Sequence, residues 1–257
     1  MTDSSPLPQH QQVSHFKQRT EELLTSALEQ EGTCAIMTLI VHHLGVSQSE
    51  RIPFLCEELD IPYELKVYKR APMVAPDELK ALHPQGTAPV IQDGDVTLAE
   101  SGACVEYIAH KFGNGRLFVQ PSDPEYADFL YWWHWSNGTF QPTIGRVLMS
   151  RAAGLPDDHW VVQSGRQGLR SGLEELNKRL ASNEWLAGSQ FSVADVMVMF
   201  SLTTMRYWAT YSLAGFDNIL EYVQRVSKRD AYQRAMKKSD PGMKLVLGPD
   251  APESAMT

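Results

Sequence analysis

The order of strand-like and helical patterns between residues 38 and 112 is the feature that most limits how this chain can fold. Thr38–Leu44 and Tyr63–Tyr68 are rich in apolar, branched and aromatic residues typical of strands, and Ser49–Leu59 between them has apolar residues at helical spacing. A helix that crosses from one strand to its neighbour makes the two strands parallel. We therefore expect a sheet that begins with a β-α-β unit.

The remainder of this segment predicts a hairpin and a closing helix. We expect a short helix over Pro76–Leu82 and strands over Pro89–Ile91 and Val96–Ala99. Asp93-Gly94 between these strands is typical of a hairpin turn, which makes them antiparallel. Glu100–Phe112 is again helical in pattern. The predicted order, β-α-β-α-β-β-α, is that of a thioredoxin-like domain.

Helical patterns alone follow the linker-like stretch Gly113–Ser122. We expect helices within the aromatic-rich segment 124–150, over Asp158–Leu180 and over Ser192–Tyr211. Two shorter helices are predicted before about residue 240. The second half of the chain is therefore expected to be all-helical.

These patterns divide the chain into three parts, with an α+β fold class overall. We predict an N-terminal extension over residues 1–36, with a disordered start and an amphipathic helix over 16–31. Residues 37–113 are predicted to form the thioredoxin-like domain and residues 123–247 the all-helical domain. The Pro-rich chain after Gly248 is expected to be loose.

Composition and charge exclude several classes of protein. The 257 residues include 31 acidic and 23 basic side chains, a net charge of −8, whereas a nucleic-acid-binding protein needs a basic face. No stretch approaches the ~18 apolar residues of a transmembrane helix, and the start lacks a secretory signal. The three widely spaced cysteines argue against a disulfide framework or a metal site. We therefore expect a cytoplasmic protein with no nucleic-acid partner, no transmembrane segment and no metal.

Two serines lie in the turn after the first predicted strand, where redox-active relatives of this fold carry a cysteine. Because Ser47 and Ser49 stand there instead, a dithiol mechanism is excluded at this turn. Ser47 and Glu50 match the capping-box pattern, as do Ser192 and Asp195 further on, where we interpret Asp195 as a folding residue. A hydroxyl at a helix start can also donate to a bound anion, so both interpretations of Ser47 stay open.

Two further motifs lie at the edges of predicted strands. Pro89 opens a strand after a turn that contains Gly86. Glu100 and Ser101 lie where a strand ends and a helix begins. Such a pair can cap the helix, or it can clamp a molecule that bears both an ammonium and a carboxylate group.

Taken together and in this order, the motifs resemble the glutathione S-transferase family, in particular its fungal and bacterial branch of Gtt type. The resemblance spans about residues 37–245 and rests on the following segments: Val41–Leu44 leading into Ser47 and Arg51, Val67–Arg70, Ala75–Lys80, His83–Gly86, Ala88–Ile91, Leu98–Gly102, Tyr131–Gly138 and Phe191–Asp195.

The resemblance implies that glutathione is the cosubstrate and that its thiol is ionised to attack small hydrophobic electrophiles, a detoxification activity. Ser47 is the hydroxyl expected to bind the thiolate, and Ser49 is the alternative if the loop alignment shifts by two residues. A thiol with a pKa of about 8.5 is only about 3% ionised at pH 7. One hydrogen bond to an ion contributes roughly 1.5–3 kcal/mol, which lowers a pKa by about one to two units. On this view a protein base is not required.

The family pattern also implies the remaining contacts. The Val90 backbone is expected to pair with the cysteinyl unit beside a cis Pro89, while Glu100 and Ser101 hold the γ-glutamyl end. The other expected contacts are His83, Gln85 and Thr87 at the glycyl end and Tyr131, Trp132 and Trp135 in the acceptor pocket. Because family members pair through both domains, we expect a homodimer.

The residues before Ser47 depart from the family pattern, since Gly45-Val46 replaces the two asparagines that relatives commonly carry. Two alternatives to conjugation therefore stay open. One is a glutathione-dependent peroxidase or disulfide reductase that uses the same site. The other is a non-catalytic binding or regulatory protein that has kept the fold.

Overall fold

A computed structural model describes residues 39–71 and 74–253. The predicted N-terminal extension, including the helix expected over 16–31, lies outside the described residues. Within the described ranges, no helix is both long and apolar enough to cross a membrane. The same ranges contain no group of three or more His, Cys, Asp or Glu side chains that could hold a metal ion.

Four strands form one sheet in the order β2-β1-β3-β4. β1 (Leu39–Leu44) pairs in parallel with β2 (Tyr63–Tyr68) and antiparallel with β3 (Val90–Asp93), which pairs antiparallel with β4 (Val96–Ala99). The turn between β3 and β4 contains Gly94 at φ 58°, a conformation that glycine adopts without steric cost. The predicted parallel pairing of the first two strands and antiparallel pairing of the last two are therefore confirmed.

Three helices accompany the sheet: α1 (Arg51–Glu58), α2 (Asp77–Lys80) and α3 (Ser101–Lys111). A 3-10 turn over Gln48–Glu50 precedes α1. The helices that follow are α4 (Tyr126–Trp135), α5 (Gln141–Ala152), α6 (Trp160–Leu180), α7 (Val193–Leu202), α8 (Arg206–Ala209), α9 (Asp217–Ser227) and α10 (Asp230–Ser239), with a π-helical turn over Ser136–Phe140 between α4 and α5.

The single helix predicted over Ser192–Tyr211 is wrong, because the chain leaves helical geometry at Thr203 (φ −122°, ψ −94°). The Thr203 hydroxyl donates to the carbonyl of Met199 at 2.7 Å, a local bond that competes with helix continuation. The break separates α7 from α8. All ten residues of α7 are buried, as the apolar sequence predicts.

The last helix packs on the first, and this contact positions the candidate site. The ring of Phe54 on α1 meets that of Tyr232 on α10 edge to face at 5.1 Å. Glu57 on α1 pairs with Arg234 at 2.7 Å and with Lys238. These contacts bring the end of α10 beside the turn that precedes α1, although the two lie far apart in sequence.

The expectation of a loose chain after Gly248 is wrong for the described part of that segment. The buried guanidinium of Arg206 donates to the carbonyls of Gly248 at 2.8 Å and Pro249 at 3.1 Å, and also to that of Asp250. The Leu213 N–H donates to the Pro249 carbonyl at 2.8 Å. The segment is therefore bound to the helical part by hydrogen bonds that its Pro-rich composition does not indicate.

Candidate active site

Ser47 begins the 3-10 turn that leads into α1. Its backbone is extended (φ −146°, ψ 170°), and its Oγ accepts a hydrogen bond from the Ser49 N–H at 3.2 Å. This is the geometry of a helix N-cap. Glu50 does not complete the capping box, since neither of its carboxyl oxygens has a hydrogen-bond partner among the described residues. The cap predicted at Ser47 is therefore only half formed.

A cavity of about 560 Å³ opens beside this turn. One wall comes from the sheet-containing part of the chain and the other from α5, α7 and α8. Its lining includes Leu44, Ser47, Gln48, Arg70, Lys80, Gly86, Thr87 and Ala88 on the first wall and Gln141, Leu148, Phe200, Met205 and Trp208 on the second. The first wall is mixed in character with several polar groups, while the second is mainly apolar.

A slightly larger cavity, of about 630 Å³, lies within the helical part and contains none of the predicted site residues. Two of the basic side chains that line it already have carboxylate partners, since Arg166 pairs with Asp157 and Arg170 with Glu174. We therefore assign the candidate site to the cavity beside Ser47, where a cap, a strand end and an apolar wall meet.

Ser47, and not Ser49, lines this cavity. Ser49 is fully buried behind the turn, where its Oγ accepts the Leu44 N–H at 3.0 Å. The Ser49 Oγ also lies 2.7 Å from the Ser47 Oγ and 2.9 Å from Nδ1 of His43. Of the two serines left open by the sequence, the geometry favours Ser47 as the one that can meet a ligand.

The Ala88–Pro89 peptide bond is cis, as expected. Val90, where the backbone contact is expected, has no exposed surface and is paired with His42 of β1 and Ala99 of β4. Ala88 lines the cavity instead, and its carbonyl accepts from Gln48 Nε2 at 2.9 Å. The residue before the proline is thus the one placed to meet a bound peptide.

Glu100 and Ser101 lie at the start of α3, outside the described lining of the cavity. Glu100 has φ 71°, a left-handed conformation that is strained for a residue with a side chain and is common at functional sites. The buried Ser101 Oγ accepts from Arg51 Nη1 at 3.2 Å and from Asn137 Nδ2 at 3.0 Å. Oδ1 of Asn137 is buried with no partner among the described groups.

Arg51 connects the start of α3 to the cavity. Its buried guanidinium donates from Nε to the Met197 carbonyl at 2.9 Å and from Nη2 to Gln141 Oε1 at 2.7 Å, in addition to its bond to Ser101. Burial lowers the pKa of Arg51 to about 9. Gln141 in turn donates to Gln48 Oε1 at 2.7 Å. This network was missed at the sequence level, since its members lie on five separate elements.

The three residues expected at the glycyl end differ in whether they line the cavity. Thr87 lines the cavity, whereas His83 and Gln85 are not among its described lining residues. Instead, the Gln85 N–H faces Nδ1 of His83 at 3.4 Å. Arg70 and Lys80 contribute positive charge to the same wall. Lys80 also pairs with Asp77 at 3.0 Å, and Arg70 donates to the carbonyls of Gly45 and Val46.

The three predicted acceptor rings are wrong for this cavity. Trp132 and Trp135 are buried in the helical core, where Trp135 stacks on Phe140 at 4.6 Å between ring centroids. Tyr131 is exposed and donates to Glu175. The aromatic-rich helix buries most of its rings against its own neighbours. The apolar wall is formed by Leu148, Phe200, Met205 and Trp208, for which single-sequence patterns give no signal.

The unusual Gly45-Val46 pair is held in place by several groups. Val46 has φ 53°, which is strained for a β-branched residue. Its N–H donates to Asp240 Oδ1 at 2.9 Å, and its carbonyl accepts from Arg70 Nη2 at 2.9 Å and Trp208 Nε1 at 3.1 Å. The turn before Ser47 is therefore fixed by contacts from distant parts of the chain.

The described cysteines, Cys56 and Cys104, are both free and buried. Burial raises the pKa of the Cys56 thiol, and it raises that of Cys104 to about 12. Neither of these two described cysteines supplies a thiolate at neutral pH.

The family models and the similar proteins found by comparison all point to the same family. Residues 47–111 match the family model of the "Glutathione S-transferase, N-terminal domain", and residues 152–225 match that of the "Glutathione S-transferase, C-terminal domain". Glutathione S-transferase 3 of Schizosaccharomyces pombe is 32% identical over 215 residues, which cover 78% of this chain and 87% of the relative. Glutathione S-transferase GstB of Escherichia coli is 25% identical, with 73% and 91% covered.

Solved structures of similar proteins agree with the family given by the sequence comparisons. A glutathione S-transferase from Actinobacillus pleuropneumoniae is 30% identical with a TM-score of 0.71, covering 80% of this chain and 95% of the other. A glutathione transferase from Phanerochaete chrysosporium, crystallised with oxidized glutathione, shares the fold at 19% identity with a TM-score of 0.64, covering 79% and 95%. The chain therefore belongs to the glutathione S-transferase family, and hence to a class of enzymes, as its motifs predict.

Proposed function

We propose that this transferase conjugates glutathione to small hydrophobic electrophiles and that Ser47 stabilises the thiolate. The supporting observation is the position of the Ser47 hydroxyl between a mixed polar wall and an apolar wall in one cavity. A tripeptide thiol on the first wall would meet a hydrophobic acceptor on the second. Because the nucleophile is the cosubstrate's sulfur, the protein has to bind and ionise it and need not supply its own.

We propose that glutathione lies with its cysteinyl unit against the Ala88 backbone. Its glycyl carboxylate would lie near Thr87, Arg70 and Lys80, which share that wall. Its γ-glutamyl end would lie toward Glu100 and Ser101. The strained backbone of Glu100 supports this, since strain of this kind is maintained where it serves binding.

Hydrogen-bond energetics give the expected size of the Ser47 effect. A bond to an ionised partner contributes roughly 1.5–3 kcal/mol, so its loss corresponds to a roughly tenfold to hundredfold change. Ser47→Ala is therefore expected to lower kcat/KM for an aryl halide by that factor and to raise the pKa of bound glutathione by about one to two units. Its affinity for glutathione, measured by calorimetry, should change little.

Ser227→Ala is the matched control. Ser227 is a buried serine whose hydroxyl donates to the Gln224 carbonyl at 3.0 Å, and it is outside the described lining of the cavity. This variant should keep full activity. Activity of Ser47→Ala equal to that of the control would refute the assignment of Ser47.

The same assays separate the alternatives. Turnover of a hydroperoxide or a disulfide without turnover of aryl halides would favour the peroxidase or reductase alternative. Retention on glutathione resin without any turnover would favour a binding protein. We also propose a homodimer, and light scattering at micromolar concentration tests it, since a monomeric mass would contradict it.

A further inference from the structure

An unbroken line of hydrogen bonds leads from Ser47 to the far end of the last helix. The Ser47 Oγ lies 2.7 Å from the Ser49 Oγ, which lies 2.9 Å from Nδ1 of His43. Nε2 of His43 lies 3.1 Å from Oδ2 of Asp240, the residue that follows α10. We refer to these four residues as the relay. One end of it reaches the cavity, and its other members are buried or nearly so.

The chemistry of each group fixes the direction of these bonds. The Asp240 carboxylate can only accept, so Nε2 of a neutral His43 carries the proton and Nδ1 is an acceptor. The Ser49 hydroxyl therefore donates to Nδ1 of His43. Because the Ser49 Oγ is then free to accept, the Ser47 hydroxyl donates to it, in addition to the bond from the Leu44 N–H. In this state the Ser47 proton points away from the cavity.

Protonation of His43 at Nδ1 reverses the two hydrogen bonds between His43 and Ser47, while Nε2 still donates to Asp240. Nδ1 then donates to the Ser49 Oγ, the Ser49 hydroxyl donates to the Ser47 Oγ, and the Ser47 hydroxyl points into the cavity. Only this second arrangement offers a hydrogen-bond donor to a thiolate while every contact of the relay is kept. Donation by Ser47 is therefore coupled to the protonation state of His43.

Asp240 is held in position by the residues that depart from the family pattern. Its Oδ1 accepts from the Val46 N–H at 2.9 Å. A side chain at Gly45 would place its Cβ 3.3 Å from the same oxygen, closer than ordinary contact. Gly45 and Val46 thus admit and orient the carboxylate that reaches His43.

We propose that the relay takes up the thiol proton of bound glutathione, with Ser47 as the group that touches the thiol, His43 as the final acceptor, and Ser49 and Asp240 as positioning residues. This inference rests on the function proposed above. It assigns a proton acceptor to a site for which the family resemblance requires none.

The proton transfer balances without a co-reactant. The S–H bond breaks and its electron pair stays on sulfur, while the proton moves to the Ser47 Oγ. The original Ser47 proton moves to the Ser49 Oγ, and the original Ser49 proton moves to Nδ1 of His43. The products are a thiolate and an imidazolium, which the Asp240 carboxylate stabilises. After conjugation the imidazolium returns its proton to water.

Other titratable groups near this line lie in four places. Glu50 lies in the 3-10 turn, Arg51 at the start of α1, Tyr232 on α10 and Arg70 after β2. Each of them interacts electrostatically with Asp240 or with Glu50. Burial raises the pKa of Glu50 to about 8, with a further contribution from Asp240. This rise favours the neutral form of the Glu50 carboxyl.

His43→Asn tests the relay, because an amide can hydrogen-bond to Ser49 but cannot accept the proton. The matched control is His42→Asn on the same strand, where the imidazole bonds to Tyr68 and Gln92 instead. The full chain is titrated with glutathione, and the thiolate is followed by its ultraviolet absorbance. Protons released on binding are counted with a pH indicator in weak buffer.

The wild type and His42→Asn are expected to form thiolate with little proton release, because the proton stays on His43. His43→Asn is expected to form about tenfold less thiolate at pH 7, through loss of the nearby positive charge. It should release about one proton for each thiolate that forms at higher pH. The loss should appear in kcat, with the affinity for glutathione unchanged.

Equal thiolate ionisation and equal proton release in His43→Asn and the wild type would overturn the relay and leave the role of Ser47 intact. If the wild type itself binds glutathione without forming thiolate, or does not bind it, the proposed function fails instead. Circular dichroism checks the fold of each variant. If His43→Asn does not fold, Asp240→Asn replaces it. The amide has one acceptor oxygen for the two donors, His43 Nε2–H and the Val46 N–H, and it removes the negative charge that stabilises the imidazolium. Unchanged ionisation in that variant overturns the relay.

Discussion

Ser192 and Ser47 each begin a helical segment with an acidic residue three positions later, and the two turns are completed in different ways. At Ser192 the capping box closes, because Oδ2 of Asp195 accepts the Ser192 N–H at 2.8 Å while the Ser192 Oγ accepts the Ala194 N–H at 3.3 Å. At Ser47 the acidic partner does not reach back. The carboxylate that binds this turn is Asp240, from the other end of the chain.

The two acidic side chains are both buried but differ in their hydrogen bonds. Burial raises the pKa of Asp195, and donors from Leu186, Ser192 and Tyr222 oppose that rise. Burial also raises the pKa of Glu50, and there the Thr204 hydroxyl approaches without reaching hydrogen-bond geometry. The Ser192 turn, which we call the closed turn, supplies hydrogen-bond partners for its own buried polar groups and so stabilises the fold. The Ser47 turn, which we call the open turn, leaves its serine and neighbouring groups available for other chemistry.

The largest expected effect comes from breaking the closed turn. Asp195→Ala leaves the buried donors of Ser192, Leu186 and Tyr222 without their acceptor. Because each unpaired buried donor costs about 1–3 kcal/mol, the free energy of unfolding in urea should fall by about 4 kcal/mol. Tyr222→Phe, which removes a single donor, should cost about 1 kcal/mol. Equal losses in both variants would show that the box does not hold this helix.

A substitution of the acidic residue in the open turn should raise the stability of the fold instead of lowering it, and the size of this effect should depend on pH. Burial raises the pKa of Glu50 to about 8 in the folded chain, against about 4.3 in an unfolded one. The folded state therefore binds more protons between these values, and its stability falls as pH rises through this window. Glu50→Gln, which does not titrate, should match the wild type at pH 4 and be more stable by roughly 3 kcal/mol at pH 7.

Glu57→Gln is the matched control for this pH series. Desolvation of Glu57 is outweighed by its hydrogen bonds with Lys238 and Arg234, which lower its pKa. A group with a lowered pKa stabilises the fold above its unfolded pKa, so Glu57→Gln should be less stable than the wild type at pH 7. Urea unfolding at several pH values measures both variants. A Glu50→Gln difference that does not vary with pH would contradict the prediction.

The smallest expected effect concerns the strain at Val46. Asparagine tolerates positive φ far better than valine does, so Val46→Asn should stabilise the fold by about 1 kcal/mol. For a chain of this size that corresponds to a rise in Tm of roughly 2–4 °C. Val67→Asn, at an exposed strand position, should instead lower Tm slightly, because asparagine is unfavourable in strands. A lower Tm for Val46→Asn would mean that the valine side chain contributes packing that outweighs the strain.

The same contrast explains what could be predicted from the sequence. The strands, their directions and the Ser192 cap depend on neighbouring residues and were correctly predicted. The shift from Val90 to Ala88 depends on which strands flank β3, and the acceptor wall depends on how α7 and α8 turn after the break at Thr203. Asp240 carries no local signal at all. It reaches the Ser47 turn because α10 packs on α1 through the Phe54–Tyr232 ring contact and through ion pairs.

The way Arg206 is bound has a practical consequence for handling this protein. Its guanidinium has no exposed surface, and its described hydrogen-bond partners are backbone carbonyls, four in number, of which three come from residues 248–250. Backbone dipoles thus solvate a buried cation in place of a carboxylate. A shortened version that stops before residue 248 would leave that cation poorly solvated, while additions after residue 257 leave those carbonyls in place. Expression designs should therefore extend this end rather than trim it.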